Sequence, residues 1–158
     1  MKFTSYHKII NAVGFGAIAL VLIAGLTVML GISNSDFKTT ATLKLADTEF
    51  NIAVADTQTE KFRGLSNTEQ ISNDEGMWFV FDQSARHGFV MREMNYPIDI
   101  IWVDQDKQVV GAAENAHPDS YPGTTFEPSE PIKYVLEVSA GTVERLGIEI
   151  GDQIEGPN

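Results

Sequence analysis

The chain has 158 residues, with 22 acidic and 11 basic side chains and a formal net charge of −11. Every acid lies at or beyond Asp36, and Lys2 and Lys8 lie before it, so the chain from Asp36 onward is the more acidic part. That balance excludes a nucleic-acid binder that works by displacing counterions from phosphates, and the absence of cysteine excludes a disulfide framework, thiolate metal sites and a cysteine nucleophile.

Residues 1–8 read as a cytoplasmic tail and residues 9–32 as a single membrane-spanning helix. The stretch Ile9 to Ile32 is apolar apart from Asn11, Thr27 and several glycines, and no charged residue stands between Lys8 and Asp36. A helix of ~20 residues crosses the ~30 Å hydrocarbon layer. Lys2 and Lys8 precede the run, which sets the N-terminus inside and the bulk of the chain outside. A cleaved signal peptide is the rival reading, but its apolar core runs to ~7–15 residues and ends in a small-x-small site. Leu30-Gly31-Ile32-Ser33 is a poor site of that kind.

Residues 33–41 are short and polar and read as a linker to an extracytoplasmic domain at 42–158. There, Leu43 and Leu45, then Phe50, Ile52 and Val54, alternate at the spacing of a half-buried hairpin, with Asp47-Thr48 as its turn. Thr57 to Glu60 is a capping box opening a short helix that carries Phe62 and Leu65. Met77 to Phe81 is a dense apolar strand, Asp82 to Arg86 a turn, and His87 to Met91 a further strand. Ile98 to Val103 and Gln108 to Ala113 form a second hairpin around Asp104–Lys107. Residues 114–131 hold four prolines and read as a long loop, of a length that is often functional. Ile132 to Val138 alternates as a strand, Thr142 caps a short helix stopped by Gly147, and Ile154 opens a last short strand. Many short strands with two short helices make a mainly β fold, a small barrel or sandwich.

Five residues stand out as candidates for ligand binding: Arg63, His87, Met91, Arg92 and Asp99. Asp99 lies inside an apolar strand, so its carboxylate must be paired, protonated or turned outward. It either fixes the Pro97 turn through an arginine or backbone amides, or faces a pocket. Arg63, at the end of the first helix, and Arg92 could clamp a carboxylate in bidentate fashion. His87 and His117 are the only imidazoles beyond the anchor, and no ligand spacing links them to Glu114 or Asp119 as a metal site. No nucleophile elbow accompanies the serines, and Asp104-Gln-Asp106 lacks the glycine and distal glutamate of a calcium loop. The sequence therefore points to no metal, no cofactor and no catalytic set.

In order and spacing, Val54-Ala-Asp-Thr57, Arg63-Gly-Leu65, Glu75-Gly-Met-Trp-Phe-Val-Phe81, His87-Gly-Phe-Val-Met-Arg92, Pro97-Ile-Asp-Ile100, Tyr134-Val-Leu-Glu-Val138 and Leu146-Gly-Ile148 resemble the DUF192 (UPF0127) family over residues 43–155. The resemblance implies a compact, barrel-like β domain, often exported or membrane-tethered, and brings no established activity. This chain departs from the pattern at Val90, where the family carries an aromatic residue, and at Arg92-Glu93-Met94, where it carries Lys-Asn-Thr.

The function expected from these features is a membrane-tethered, extracytoplasmic module that binds a small anionic or polar ligand or a partner. The alternatives are a hydrolase-like enzyme using Asp99 and His87 with Arg63, and an envelope scaffolding protein.

Overall fold

The computed structural model describes residues 38–158. The segment expected to cross the membrane, residues 9–32, lies outside them. Among the described residues no helix is long and apolar enough to cross a membrane.

Six strands form one sheet: β1 (Ala41–Leu45), β2 (Thr48–Ala55), β3 (Glu75–Ala85), β4 (Ile98–Val103), β5 (Val109–Ala116) and β6 (Ile132–Ser139). Their order is β1-β2-β3-β6-β4-β5, with β2 and β3 parallel and every other pair antiparallel. The crossover between the parallel strands carries α1 (Gln58–Arg63), as the geometry of a parallel pair requires. A second helix, α2 (Thr142–Leu146), follows β6.

The sheet is open, which corrects the expected barrel or sandwich. β1 and β5 are its two edges and do not pair with each other. The C-terminal segment lies along both. Lys44 of β1 exchanges backbone hydrogen bonds of 2.7 and 2.9 Å with Glu155, and Val109 of β5 donates to Asp152 at 2.9 Å and accepts from Gly151 at 2.8 Å. One irregular strand thus covers stretches of backbone that exposed edges would leave free to pair with another chain.

Alternation places side chains on two faces. One core cluster joins Leu43, Phe50, Ile52, Trp78, Leu136 and Val138, with Trp78 stacked on Tyr134 at 5.0 Å. The C-terminal segment closes this face, and the Trp78 indole donates to the Pro157 carbonyl at 3.1 Å. The other cluster joins Ala55, Leu65, Met77, Phe79, Met91, Ile98 and Ile100. The chain after α1 and the stretch from His87 to Tyr96 pack on that face.

The β1–β2 turn falls one residue earlier than the sequence suggests. Ala46 and Asp47 are its central pair, with φ of 48° and 61°. Two consecutive positive φ values are the mark of a type I′ turn, which asparagine and glycine adopt with least strain. Ala46→Asn combined with Asp47→Gly should stabilise the protein by about 1 kcal/mol, since each non-glycine residue held left-handed costs ~1–2 kcal/mol and the mobile glycine offsets part of that gain. Urea denaturation measures it, and an unchanged midpoint would count against the turn assignment.

The capping box at α1 is present. The Thr57 hydroxyl accepts from the Glu60 amide at 3.2 Å, and the Glu60 carboxylate accepts from the Thr57 amide at 3.0 Å. The Thr57 hydroxyl, which donates to the Glu60 carboxylate at 2.7 Å, and the Thr57 amide hold that exposed carboxyl below its ordinary range. Helix α1 buries no residue, and Phe62 is 74% exposed rather than core-facing.

Other expectations need correction. No turn falls at Asp82–Arg86, because β3 runs on to Ala85 through a register irregularity against β6 between Val80 and Ala85. His87 to Met91 is not a strand. Only Phe89 pairs, with Phe126, through bonds of 2.9 and 2.8 Å, and the apolar side chains of this stretch lie on the sheet instead of extending it. The 114–131 loop is shorter than expected, since β5 continues to Ala116 and Pro118–Ser120 forms a 3₁₀ turn. Thr142 does not cap α2. The cap position is Gly141, with φ of 80° and no side chain to offer, and the Thr142 hydroxyl donates to the Ser139 carbonyl at 2.7 Å.

Candidate functional site

Asp99 takes over as the cap of α2. Its side chain is fully buried on the face of Ile101 and Val103. One carboxylate oxygen accepts from the Val143 amide at 2.9 Å, in the first turn of α2. The other accepts from the Asn115 amide at 2.8 Å. Asn115, with φ of 51°, lies in a bulge of β5, where two residues between Ala113 and Ala116 stand opposite Asp99 alone. A single carboxylate therefore pins a helix start and a strand irregularity to β4. Both of its oxygens are engaged by backbone, so Asp99 is a structural group remote from the cleft described next.

On the opposite face lies a cleft of about 320 Å³. Its floor is made by β3 and β6, one wall by the end of α1 and the residues after it, and the other by the stretch from His87 to Met94. Phe79 and Phe81 project from β3, with Phe79 meeting Phe89 edge-on at 5.1 Å and Phe81 stacked on His87 at 3.7 Å. Met91, Met94 and Ile98 add apolar surface. The two walls are fastened together outside the cleft. The Ser66 hydroxyl donates to the Arg92 carbonyl at 2.8 Å, the Asn67 amide to the Glu93 carbonyl at 2.8 Å, and the Asn95 side chain to the Thr68 carbonyl at 2.8 Å. Thr68 and Tyr96 share a hydroxyl–hydroxyl bond of 2.6 Å.

At the floor stands Glu137, a residue the sequence reading did not single out. It belongs to β6 on the face of Val135, with Met77 of β3 and Ile100 of β4 directly across. It is 7% exposed, and its Oε2 is buried without a hydrogen-bond partner among the described residues. Burial raises its carboxyl from 4.5 to about 8, so the group is predominantly protonated and uncharged at neutral pH. Gly64 holds the end of α1 close above it. A Cβ there would meet the Phe79 ring at 3.6 Å and the Glu137 Oε2 at 4.0 Å, and its φ of 51° with ψ of −139° is a conformation only glycine adopts readily. Gly76 lets β3 and β6 approach, since a Cβ would lie 2.8 Å from the Glu137 carbonyl.

Around the mouth the charge is positive. Lys61 donates to the Val80 carbonyl at 2.6 Å and lies 5.2 Å from the Phe81 ring centre. The Arg92 guanidinium stacks on the exposed Phe62 ring at 3.9 Å and donates to the Phe62 carbonyl. Arg63 is exposed, and none of these three cations takes part in a salt bridge among the described residues. Arg63 and Arg92 form a ridge between this cleft and a more open hollow lined by Asn67, Thr68 and Glu93.

Four of the five residues expected from the sequence thus meet on one cleft: Arg63, His87, Met91 and Arg92. Asp99 does not join them. Asp99 and His87 lie on opposite faces of the sheet, so they cannot share a substrate as acid and base. Among the described residues no three His, Asp or Glu side chains stand close enough to hold a metal ion.

The DUF192 family model, described as an uncharacterized ACR, matches residues 40–156, and the chain belongs to that family. A UPF0127 protein of Thermococcus sibiricus is 28% identical over 109 residues, covering 66% of this chain and 64% of its own length. A UPF0127 protein of Pyrococcus furiosus is 35% identical over 69 residues, covering 44% of this chain and 53% of its own. The chain thus spans less than two thirds of either relative. A solved structure from Sinorhizobium meliloti, described as a proposed transcription regulator, is 29% identical with a TM-score of 0.70, covering 77% of this chain and 97% of that one. A protein of unknown function from Novosphingobium aromaticivorans is 32% identical with a TM-score of 0.68, covering 72% and 83%. Of the four positions expected from the sequence to depart from the family pattern, Val90, Arg92 and Met94 line the cleft and Glu93 lines the hollow beside it.

Proposed function

We propose that the described domain is a small-ligand-binding module held outside the cytoplasmic membrane by the apolar segment 9–32. The observation that carries the binding role is Glu137. A buried polar group without a partner costs roughly 1–3 kcal/mol, and such groups are uncommon in folded proteins. Because Oε2 has almost no accessible surface, a ligand group recovers that cost by drawing the carboxyl toward the cleft as it binds. The cleft volume lies at the lower end of the usual range for small-molecule sites, ~300–1,000 Å³, and combines apolar walls with few polar groups, as such sites do. Segment 9–32 supports the tether by its length and by the lysines that precede it.

A thermal-shift screen of the full-length chain against sugars, nucleotides and organic acids tests the binding role. At least one class should raise the midpoint in a concentration-dependent way, by the linkage of binding to folding. Glu137→Leu should weaken that response. A flat response across the screen would contradict the proposal.

A further inference from the structure

The cleft offers different chemistry at its two ends, and this selects a ligand class. The mouth carries Lys61, Arg63 and Arg92 in a protein of net charge −11, with Glu137 the only acid on the lining. Such a local excess of cations, free of salt bridges among the described residues, attracts an anion. Arg92 is already oriented by the Phe62 ring and carbonyl, and Arg63 stands beside it on the ridge. Two guanidinium groups suit a planar carboxylate, which accepts paired N–H donors. Between mouth and floor the walls are mainly aromatic and aliphatic, from Phe79, Phe81, Phe89 and Met91, with His87 and Ser66 the polar side chains among them. They fit an apolar body and offer few hydrogen bonds along it. At the floor, Glu137 waits without a partner.

Resting on the binding-module reading, we infer that the cleft takes a small hydroxycarboxylate with an aromatic or similarly apolar body, its carboxylate against Arg63 and Arg92 and its hydroxyl against the Glu137 carboxyl. A neutral carboxyl both donates and accepts, which matches a hydroxyl group. A cationic ligand end is disfavoured twice over, by the three cations at the mouth and by an uncharged floor.

Isothermal titration of the full-length chain at neutral pH, with four probes of one size, tests this. 4-Hydroxyphenylacetate has all three features. Phenylacetate lacks the hydroxyl, 4-hydroxybenzyl alcohol lacks the charge, and tyramine reverses it. The hydroxyacid should bind at least tenfold more tightly than phenylacetate or the alcohol, the ratio that ~1.4 kcal/mol for each lost contact gives, and tyramine should bind most weakly. Arg63→Ala, an exposed position, should lower hydroxyacid affinity about tenfold or more and leave the neutral alcohol unchanged. Glu137→Leu should remove the preference for the hydroxyl, and Glu137→Gln, which also donates and accepts, should keep it. Circular dichroism confirms that each variant is folded.

Tighter binding of tyramine, or an equal effect of Arg63→Ala on all four probes, would overturn the ligand class and leave the binding module standing. Absence of binding by all four would overturn it too, and if the broad screen also gave no hit, the binding module would fall with it.

Discussion

Asp99→Ala should destabilise the protein by about 3–5 kcal/mol, a large share of the ~5–15 kcal/mol that holds a domain of this kind together. The side chain is fully buried and accepts from two backbone amides, at 2.8 and 2.9 Å. Its removal strands the Val143 amide in the interior and takes the side-chain acceptor from the Asn115 amide, which lies in an exposed residue. Helix α2 then begins at Gly141 with no cap, and the Asn115 bulge loses the contact that fixes it. Asparagine should not rescue the site. It keeps one acceptor oxygen but turns its NH₂ toward the second amide, donor against donor. Urea unfolding of both variants measures the effect, and a loss below ~1 kcal/mol for the alanine variant would show that the two bonds add little.

Glu137 should make stability fall with rising pH, and Glu137→Gln should remove that fall. The carboxyl is raised from 4.5 to about 8 by burial. Between those values the folded state keeps a proton that the unfolded state has released. Stability therefore drops as pH rises through this window, and the contribution is flat below it and above it. A shift of that size corresponds to a difference on the order of 5 kcal/mol, at ~1.4 kcal/mol per pH unit. The titratable groups that share the cleft lining with Glu137 are Lys61 and Arg63 from α1 and His87 and Arg92 from the opposite wall, and the Tyr96 hydroxyl senses its charge. Desolvation by burial is the cause of the shift. Since other acids titrate as well, the quantity to compare is the difference between wild type and Glu137→Gln in urea melts from pH ~4.5 to ~8. The glutamine variant should match wild type at the acid end and exceed it at the alkaline end. Parallel curves would mean that Glu137 is ionised in the fold.

Glu137 and Asp99 mark how far a sequence reading reaches. Both are acids inside apolar strands, and the same argument applies to each: the carboxyl must be paired, protonated or exposed. Asp99 drew attention because Ile98, Ile100 and Ile101 surround it, whereas Lys133 and Glu137 together make β6 look like a strand with one wet face. The flanking Val135, Leu136 and Val138, apolar on both faces, were the available signal that β6 is central. What separates the two acids is where their donors come from. The amides that satisfy Asp99 belong to Asn115 and Val143, 16 and 44 residues away, and strand periodicity carries no information about them.

The strand spans themselves were legible where one face is dry and the other wet, as in β1 and β2. The capping box of α1 was legible too, because its partners are three residues apart. The stretch from His87 to Met91 was not. Its apolar residues fit a strand by composition, and only tertiary packing shows that they lie across the sheet as a wall of the cleft. Closure was misread for a similar reason. The number of short strands suggests a barrel, and whether two edges meet depends on the C-terminal segment that lies along both. The convergence of Arg63, His87, Met91 and Arg92 rests on the bonds that fasten residues 66–68 to 92–96, pairs 26 to 28 residues apart.

The central claim is that Glu137 is a neutral, unpartnered carboxyl waiting at the floor of a ligand cleft. Selective carbon-13 labelling of the glutamate carboxyls, with the resonance assigned by comparison to Glu137→Gln, reports its titration directly. The account predicts a midpoint near 8 in the free protein and a marked shift of that resonance when a ligand enters. A midpoint in the ordinary glutamate range, near 4.5, unmoved by any compound that binds, would contradict it.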